Sequence, residues 1–135
     1  MTQRGVFDLL PGKFAVARLA PADPVPDWAH GGPFSVVTRT ADELSLVCAE
    51  DGVPADVTAE RGWRAFKLRG PIPFDTIGVL ATMAVTLAEA HVSLFAVSTF
   101  DTDYVLVKQR DLARARAALN GAGYLVEEAD VSPGH

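Results

Sequence analysis

The sequence predicts an α+β fold of two small units, in which antiparallel sheets carry helices on one face and the first unit is reduced. Apolar and β-branched runs typical of strands occur along the chain, whereas both long helical patterns follow residue 62. A hairpin pattern is also repeated, because residues 37–47 align without gaps on residues 97–107. The repeat indicates duplication of one unit, followed by contraction of the first copy.

Composition indicates an ordinary globular protein and argues against several classes of partner. The 135 residues are 49% hydrophobic and 21% charged, which suits one domain or two very small ones. The formal net charge of -5 disfavours nucleic acid, which requires a concentrated basic surface. Cys48 has no disulfide partner, the N-terminus lacks a secretory pattern, and the most apolar segment is shorter than the ~20 residues of a bilayer span. We therefore expect a cytoplasmic protein with no nucleic-acid or membrane partner.

The first unit, residues 1–62, is predicted to be mainly β. Its elements are, in order, a strand at residues 14–19, a short helical turn around Asp27 and Trp28, and a hairpin of strands at residues 34–39 and 44–49. Proline and glycine crowd residues 21–33, so a full helix is not expected there. The long helix of the other unit is thus contracted in this one.

The second unit, residues 63–128, is predicted to be complete and to be followed by a tail at residues 129–135. Its elements are, in order, a strand at 63–68, a helix from about Asp75 to Ala90, strands at 92–97 and 104–107, a helix capped by Asp111 that ends at Asn120 and Gly121, and a strand at 124–126. This order is the ferredoxin-like βαββαβ arrangement.

The long helix is predicted to be covered on both sides. Its inward face is expected to hold Ile77, Leu80, Ala81, Ala84, Leu87 and Ala88. The opposite face still carries Val79, Met83 and Val85. Glu89 is the only charged residue after Asp75 in this segment. A second apolar face requires a partner surface, so we expect a homo-oligomer, in the simplest case a dimer.

No pattern in the chain indicates catalysis. His30, His91 and His135 lack the spacing of a metal site or a catalytic triad. Cys48 falls within a strand without a neighbouring base, so it is expected to be a small core residue. The glycine-containing segment at residues 121–123 follows a helix, which is the wrong end for holding phosphates. The sequence predicts neither a cofactor nor a metal site.

The turn before residue 104 holds the best candidates for ligand binding. Asp101 suits the turn itself. Asp103 stands at the start of the next strand beside Thr99 and Phe100. Its carboxylate could pair there with an ammonium or a guanidinium group, while the aromatic ring covers the apolar part of the same ligand.

The start of the long helix offers the complementary half of such a site. The unpaired N–H groups of Asp75, Thr76 and Ile77 could hold a ligand carboxylate. Asp75 could equally satisfy those donors itself, as an ordinary N-cap. A ligand that carries both charges would have its two ends bound by separate elements.

Two parts of the chain resemble the ACT regulatory domains. They are residues 34–40 with 43–47, and residues 92–100 with Asp103. The resemblance extends from about residue 34 to residue 126, and it is in particular to the tandem ACT pairs of aspartate kinases and to the cytosolic arginine sensors of animals. It implies a non-catalytic module that holds an amino acid between adjacent ACT units.

The resemblance also implies roles for individual residues. Thr99, Phe100 and Asp103 match a hairpin that contacts ligand. Ser93 and Leu94 match the edge of an interface strand that also touches ligand.

Two departures from the family bear on the ligand's identity. Thr76 matches a polar contact at the helix start, but the arginine sensors have an acidic residue at this place. Pro73 stands where such families often have a glycine. Arginine itself is therefore disfavoured as the ligand.

Three functions are compatible with the sequence. The leading one is a sensor whose amino acid or related small ligand stabilises a paired state, and whose response passes to a separate protein target. The second is a structural interaction module with an empty crevice. The third is a small enzyme with Asp103 or Asp75 as acid or base. Dimerisation that is insensitive to amino acids would favour the structural interaction module.

Overall fold

The computed structural model describes residues 5–70 and 78–129. Its strands and helices are, in chain order, β1 (Gly5–Leu9), β2 (Phe14–Leu19), β3 (Val36–Arg39), β4 (Leu44–Ala49), β5 (Ala59–Leu68), α1 (Val79–Glu89), β6 (Leu94–Ser98), β7 (Asp103–Lys108), α2 (Leu112–Gly121) and β8 (Tyr124–Glu128). The predicted α+β class is confirmed. By their contacts the residues divide into a small unit, Gly12–Trp63, and a large unit made of the described parts of Met1–Pro11 and Arg64–His135.

In the small unit, β3 and β4 form the predicted hairpin. The two strands are antiparallel, and β3 begins at Val36, slightly later than predicted. The Thr40 side chain closes the turn, because its Oγ1 accepts hydrogen bonds from the amides of Asp42 and Glu43 at 3.1 Å each. The hairpin register therefore follows from a local side-chain contact.

The small unit covers its sheet with a proline-rich segment instead of an α-helix. β2 pairs antiparallel with β4 and with the first part of β5. The buried residues Ala17 and Leu46 of this sheet cluster with Ala29, and Trp28 packs against them. Both covering residues belong to the 3-10 helix Asp27–His30, which is the short helical turn that the sequence predicts. A single turn suffices to cover so small an apolar face.

The large unit contains the predicted βαββαβ order as β5, α1, β6, β7, α2 and β8. Within it, β6 pairs antiparallel with β7, and β7 pairs in turn with β5. β5 begins at Ala59, earlier than predicted, so its first residues belong to the small unit and its last residues to the large one. The ferredoxin-like arrangement is confirmed.

β1 is a strand that the sequence analysis missed. It lies between β5 and β8, antiparallel to the first and parallel to the second. Phe7 and Leu9 are fully buried on it, whereas Asp8 between them points to the other face. Residues 5–11 therefore pack with residues from the end of the chain, because β1 completes that sheet.

One hydrophobic core joins the sheet of the large unit to both helices. Its principal residues are Phe7, Leu9, Phe66, Leu68, Met83, Leu87, Val105, Val107, Ala115, Leu119, Tyr124 and Val126. The strand residues in this cluster occur at every second position, so they share one face of the sheet. Both helices pack on that face, as predicted.

The inward face of α1 differs from the prediction. Met83, which was assigned to the opposite face, is fully buried together with Leu87, whereas Ala81 and Ala88 are exposed. The helix turns its longest apolar side chains toward the sheet, because they remove more apolar area from water than alanine does. Val85 is 56% exposed, so a weaker apolar surface does remain on the outside. No helix within residues 5–70 and 78–129 has the length and apolar character needed to span a membrane.

Asp111 does not cap α2 through its side chain, contrary to the prediction. It lies in the 3-10 helix Gln109–Asp111, and its Oδ1 accepts a hydrogen bond from Arg114 Nη2 at 2.9 Å. The same Arg114 nitrogen donates to the His91 carbonyl at 3.0 Å. The carboxylate thus helps to join the beginning of α2 to the end of α1 instead of satisfying its own helix.

His91 occupies a backbone conformation that suits glycine better. Its φ is 60°, and the amide of Val92 returns to the Leu87 carbonyl at 3.0 Å, as at many helix ends. We expect His91→Gly to raise the free energy of unfolding by about 0.5–1 kcal/mol, because the Cβ penalty of the left-handed region disappears. Urea denaturation measures the change. His91→Ala keeps the Cβ atom and should bring no gain, so equal stabilisation by both variants would contradict this explanation.

Gly32 permits a close backbone approach in the small unit. Its φ is +92°, and a Cβ atom added there would lie 2.8 Å from Ala49 Cβ. Gly32→Ala should therefore destabilise the protein by about 2–3 kcal/mol, from backbone strain and overpacking together. Gly12 is the matched control, since its φ is +79° but an added Cβ meets nothing within 4 Å. Thermal unfolding of Gly12→Ala should show roughly half the loss, from strain alone.

Candidate ligand-binding site

The hairpin between β6 and β7 carries most of the predicted site residues. Its turn is closed by hydrogen bonds between Thr99 and Thr102, in which the Thr99 amide and Oγ1 donate to the Thr102 carbonyl at 2.8 and 3.0 Å. The Thr102 amide donates back to Thr99 Oγ1 at 3.3 Å. Phe100 lies at the tip of this turn and is 81% exposed. The turn thus presents a large apolar ring to the solvent.

Asp103 is a buried carboxylate at the first position of β7. It lies opposite Ser98, the last residue of β6, and shares the helix-facing side of the sheet with Val105 and Val107. Asp103 is only 9% exposed, and its Oδ1 accepts a hydrogen bond from Ser98 Oγ at 2.7 Å. Withdrawing a charged carboxylate from water is costly unless it is hydrogen-bonded or paired. The fold therefore keeps the Asp103 carboxylate, a hydrogen-bond acceptor, buried although its burial costs free energy.

Thr102 attaches the hairpin to the end of β5. The residue is buried, and its Oγ1 donates a hydrogen bond to the carbonyl of Leu68 at 2.6 Å. Leu68 is the last residue of the strand from which the chain continues toward α1. Asp103 is thus held beside the end of β5, from which the chain continues toward α1.

Ser98 and Thr102 are candidate site residues that the sequence analysis missed. The available signal was the length of the turn, since four residues between two strands place Ser98 and Asp103 opposite each other. A hydroxyl that faces a carboxylate across a hairpin is a natural donor to it. Once the register of the β6–β7 hairpin is known, it identifies Ser98 and Asp103 as a facing pair.

The predicted carboxylate-binding residues Asp75, Thr76 and Ile77 lie outside the described residues. α1 itself begins at Val79, later than predicted, and Gly78 precedes it with a φ of 81°. Gly78 occupies the N-cap position of α1, and its left-handed conformation suits glycine.

Ser93 and Leu94 lie at the start of β6, where the prediction placed an interface edge. Ser93 is exposed, and the half-buried Leu94 packs against the core of the large unit. Among the described strands, β6 pairs only with β7. No described strand covers its other edge, and both residues border it.

Arg69 and Cys48 have structural roles. Arg69 Nη2 contacts Asp8 Oδ1 at 2.5 Å and Glu127 Oε1 at 2.7 Å, and these hydrogen bonds raise the pKa of Arg69. Burial raises the pKa of the Cys48 thiol, which suits a core residue better than a nucleophile. In residues 5–70 and 78–129, no three His, Cys, Asp or Glu side chains are grouped to hold a metal ion.

A groove of about 270 Å³ lies in the small unit. Its lining residues are Val16, Ala17, Arg18, Glu43, Ser45, Thr58, Ala59 and Glu60. One of its polar side chains is already engaged locally, because Arg18 Nη2 donates to the Asp42 carbonyl at 3.1 Å. None of the predicted ligand-binding residues lines this groove, so it is separate from the candidate site.

Two family models match parts of the chain. The family model described as the ACT domain matches residues 58–121, and a model of an N-terminal domain matches residues 12–56. A crystal structure of a protein from Agobacterium tumefaciens is 37% identical, with a TM-score of 0.89, and the match covers 99% of this chain and 100% of that one. None of the curated proteins matches the chain.

More distant structures share the fold. A Vibrio cholerae protein of unknown function, described as a possible transport protein, is 19% identical with a TM-score of 0.70, and the match covers 86% of this chain and 88% of that one. The regulatory subunit of aspartate kinase from Thermus flavus is 10% identical with a TM-score of 0.63, and the match covers 90% and 99%. With its ACT-domain match and its full-length relative, the chain belongs to the ACT-domain family.

Proposed function

We propose that this protein is a non-catalytic regulatory module that binds an amino acid or a related small ligand at the β6–β7 hairpin. The observation that carries the proposal is the Asp103 carboxylate, which is nine-tenths buried and is bonded by the Ser98 hydroxyl. A cationic group of a ligand would compensate the cost of burying this charge. Binding would therefore stabilise the folded protein.

The remainder of the ligand is assigned to the neighbouring predicted residues. The exposed ring of Phe100 offers apolar surface for a side chain or a carbon skeleton. The N–H groups of Asp75, Thr76 and Ile77 are proposed to receive the ligand carboxylate, since the segment that contains them follows the end of β5. Ser93, Leu94 and Thr99 complete the proposed set of contacts.

A regulatory role accords with the distant structures that share the fold. One of them is the regulatory subunit of aspartate kinase from Thermus thermophilus, described as a ligand-free form. We propose by analogy that the present protein acts in the cytoplasm and transmits ligand binding to a separate protein target. No cofactor is needed for such a role.

A homodimer is proposed as the form that responds to ligand. The open edge of β6 and the exposed Val85 of α1 are both surfaces that a second copy could cover. A ligand held near the β6–β7 hairpin and touching that copy would favour the paired state, because it binds the pair more tightly than the monomer.

A structural interaction module without a ligand is the second candidate. Phe100 and Val85 are large apolar side chains at 81% and 56% exposure, and exposed apolar groups of this kind also mark protein interfaces. Under this alternative, dimerisation would depend on protein concentration but not on any amino acid.

The decisive experiment is thermal unfolding in the presence of each of the standard amino acids. We expect at least one to raise Tm by several degrees, since ligand at roughly 100 times its Kd adds about 2.7 kcal/mol. Asp103→Ala should abolish the shift, because the ligand loses its charged partner. Asp101→Ala is the matched control, as this exposed aspartate lies in the same turn, and the shift should survive there.

Two results would contradict the proposal. A shift that persists in Asp103→Ala would move the ligand to another part of the protein. Sedimentation that shows a dimer, combined with no shift from any amino acid, would favour the structural module instead.

Thr102→Val tests whether the hairpin must be anchored for binding. The variant leaves the Leu68 carbonyl without the hydroxyl that bonds it at 2.6 Å, so we expect a loss of about 1–2 kcal/mol in unfolding free energy. Ligand affinity should fall as well, because Asp103 is the next residue. Urea denaturation and ligand titration measure the two effects. Thr102→Ser retains the hydroxyl and should restore most of both, and weak binding in this variant would argue against an anchoring role.

A further inference from the structure

We infer that Ser98 makes the proposed site selective for a primary ammonium group over a guanidinium group. This inference rests on the proposed function, and it assigns to Ser98 a specificity role that the hairpin geometry supports. The sequence allowed either cation to pair with Asp103. The observed contact between Ser98 and Asp103 distinguishes between them.

The Ser98 hydroxyl is committed as a donor. It has a single proton, and that proton is directed to Asp103 Oδ1 over an oxygen–oxygen distance of 2.7 Å. The Ser98 oxygen is then left with its lone pairs alone. Together with Asp103 Oδ2, it forms a pair of acceptors without a free proton, which suits a ligand that only donates hydrogen bonds.

The two kinds of cation make different demands on such a pair. An ammonium group carries three N–H donors on one small atom, and it can point one at Oδ2 and another at the Ser98 oxygen. A guanidinium group binds a carboxylate best through a planar fork that requires both carboxylate oxygens side by side. Oδ1 has a second lone pair for one arm of the fork, but it would then be shared by two donors, whereas an ammonium group can use Oδ2 and the Ser98 oxygen and leave Oδ1 to the Ser98 hydroxyl.

The hairpin also prevents Asp103 from turning to accommodate the fork. The residue is 9% exposed, so protein atoms cover most of its surface. Its neighbour Thr102 is fixed to the Leu68 carbonyl, and the turn is closed at Thr99. A planar group larger than ammonium would therefore require more of this cover to move than an ammonium group would.

The test compares amines with their guanidino counterparts by isothermal titration calorimetry on the full chain. One pair is ornithine and arginine, which differ only in this group. The other is the amino acid that gives the largest thermal shift and its α-guanidino derivative. We expect the amine of at least one pair to bind about tenfold or more tightly than its counterpart, the usual scale for losing a charge-assisted hydrogen bond.

Three variants separate Ser98 from general effects on the fold. Ser98→Ala frees Oδ1 and removes one acceptor, so the ratio of the two affinities should fall to about threefold or less. Ser98→Thr keeps the hydroxyl on a residue that suits a strand, and it should restore the ratio. Ser35→Ala removes an exposed serine in the small unit and should leave the ratio unchanged.

Each result has a distinct meaning. Equal affinity for amine and guanidino compounds in the unmodified protein would overturn the selectivity but leave the proposed function intact. A preference that Ser98→Ala does not reduce would overturn the role of Ser98. If none of the compounds binds, the proposed function fails and this inference fails with it. Should Ser98→Ala not fold, the ratio in the unmodified protein and in Ser98→Thr still decides.

Discussion

Burial of the Asp103 carboxylate constrains the whole hairpin between β6 and β7. A carboxylate withdrawn from water needs donors, and the facing strand supplies one in the Ser98 hydroxyl. That contact requires the two residues to lie in register, which the turn closed by Thr99 and Thr102 provides. The Thr102 hydroxyl then fixes the turn to the sheet. The direction of the carboxylate, and with it the proposed recognition of a cation, follows from these few bonds.

The strand that receives the hairpin is itself supported by residues far away in the sequence. Leu68, whose carbonyl accepts the Thr102 hydrogen bond, lies opposite Phe7 of β1. One residue further on, Arg69 joins Asp8 of β1 to Glu127 of β8. The end of β5, beside which the candidate site lies, is therefore linked directly to β1 and β8, the first and last of the described strands.

Local patterns predicted most elements, and the errors have identifiable physical causes. β1 was missed because a five-residue strand containing Gly5 and Asp8 gives no clear periodicity, and its pairing partners are remote. The inward face of α1 was misassigned because alanine is compatible with either face of a helix. The side of the helix on which Met83 lies becomes clear only when the helix is packed on the sheet. Ser98 was missed for a similar reason, since cross-strand contacts depend on a register that no single strand specifies.

The placement of β1 has a consequence for how the chain acquires its structure during synthesis. Phe7 is synthesised long before the strand that lies parallel to it, Tyr124–Glu128. Until then the aromatic ring lacks part of its shelter, including the Tyr124 ring whose centre lies 5.1 Å away in the finished fold. The apolar segment around Phe7 therefore stays incompletely covered while the residues between it and Tyr124 are made, and such transiently exposed surface promotes aggregation.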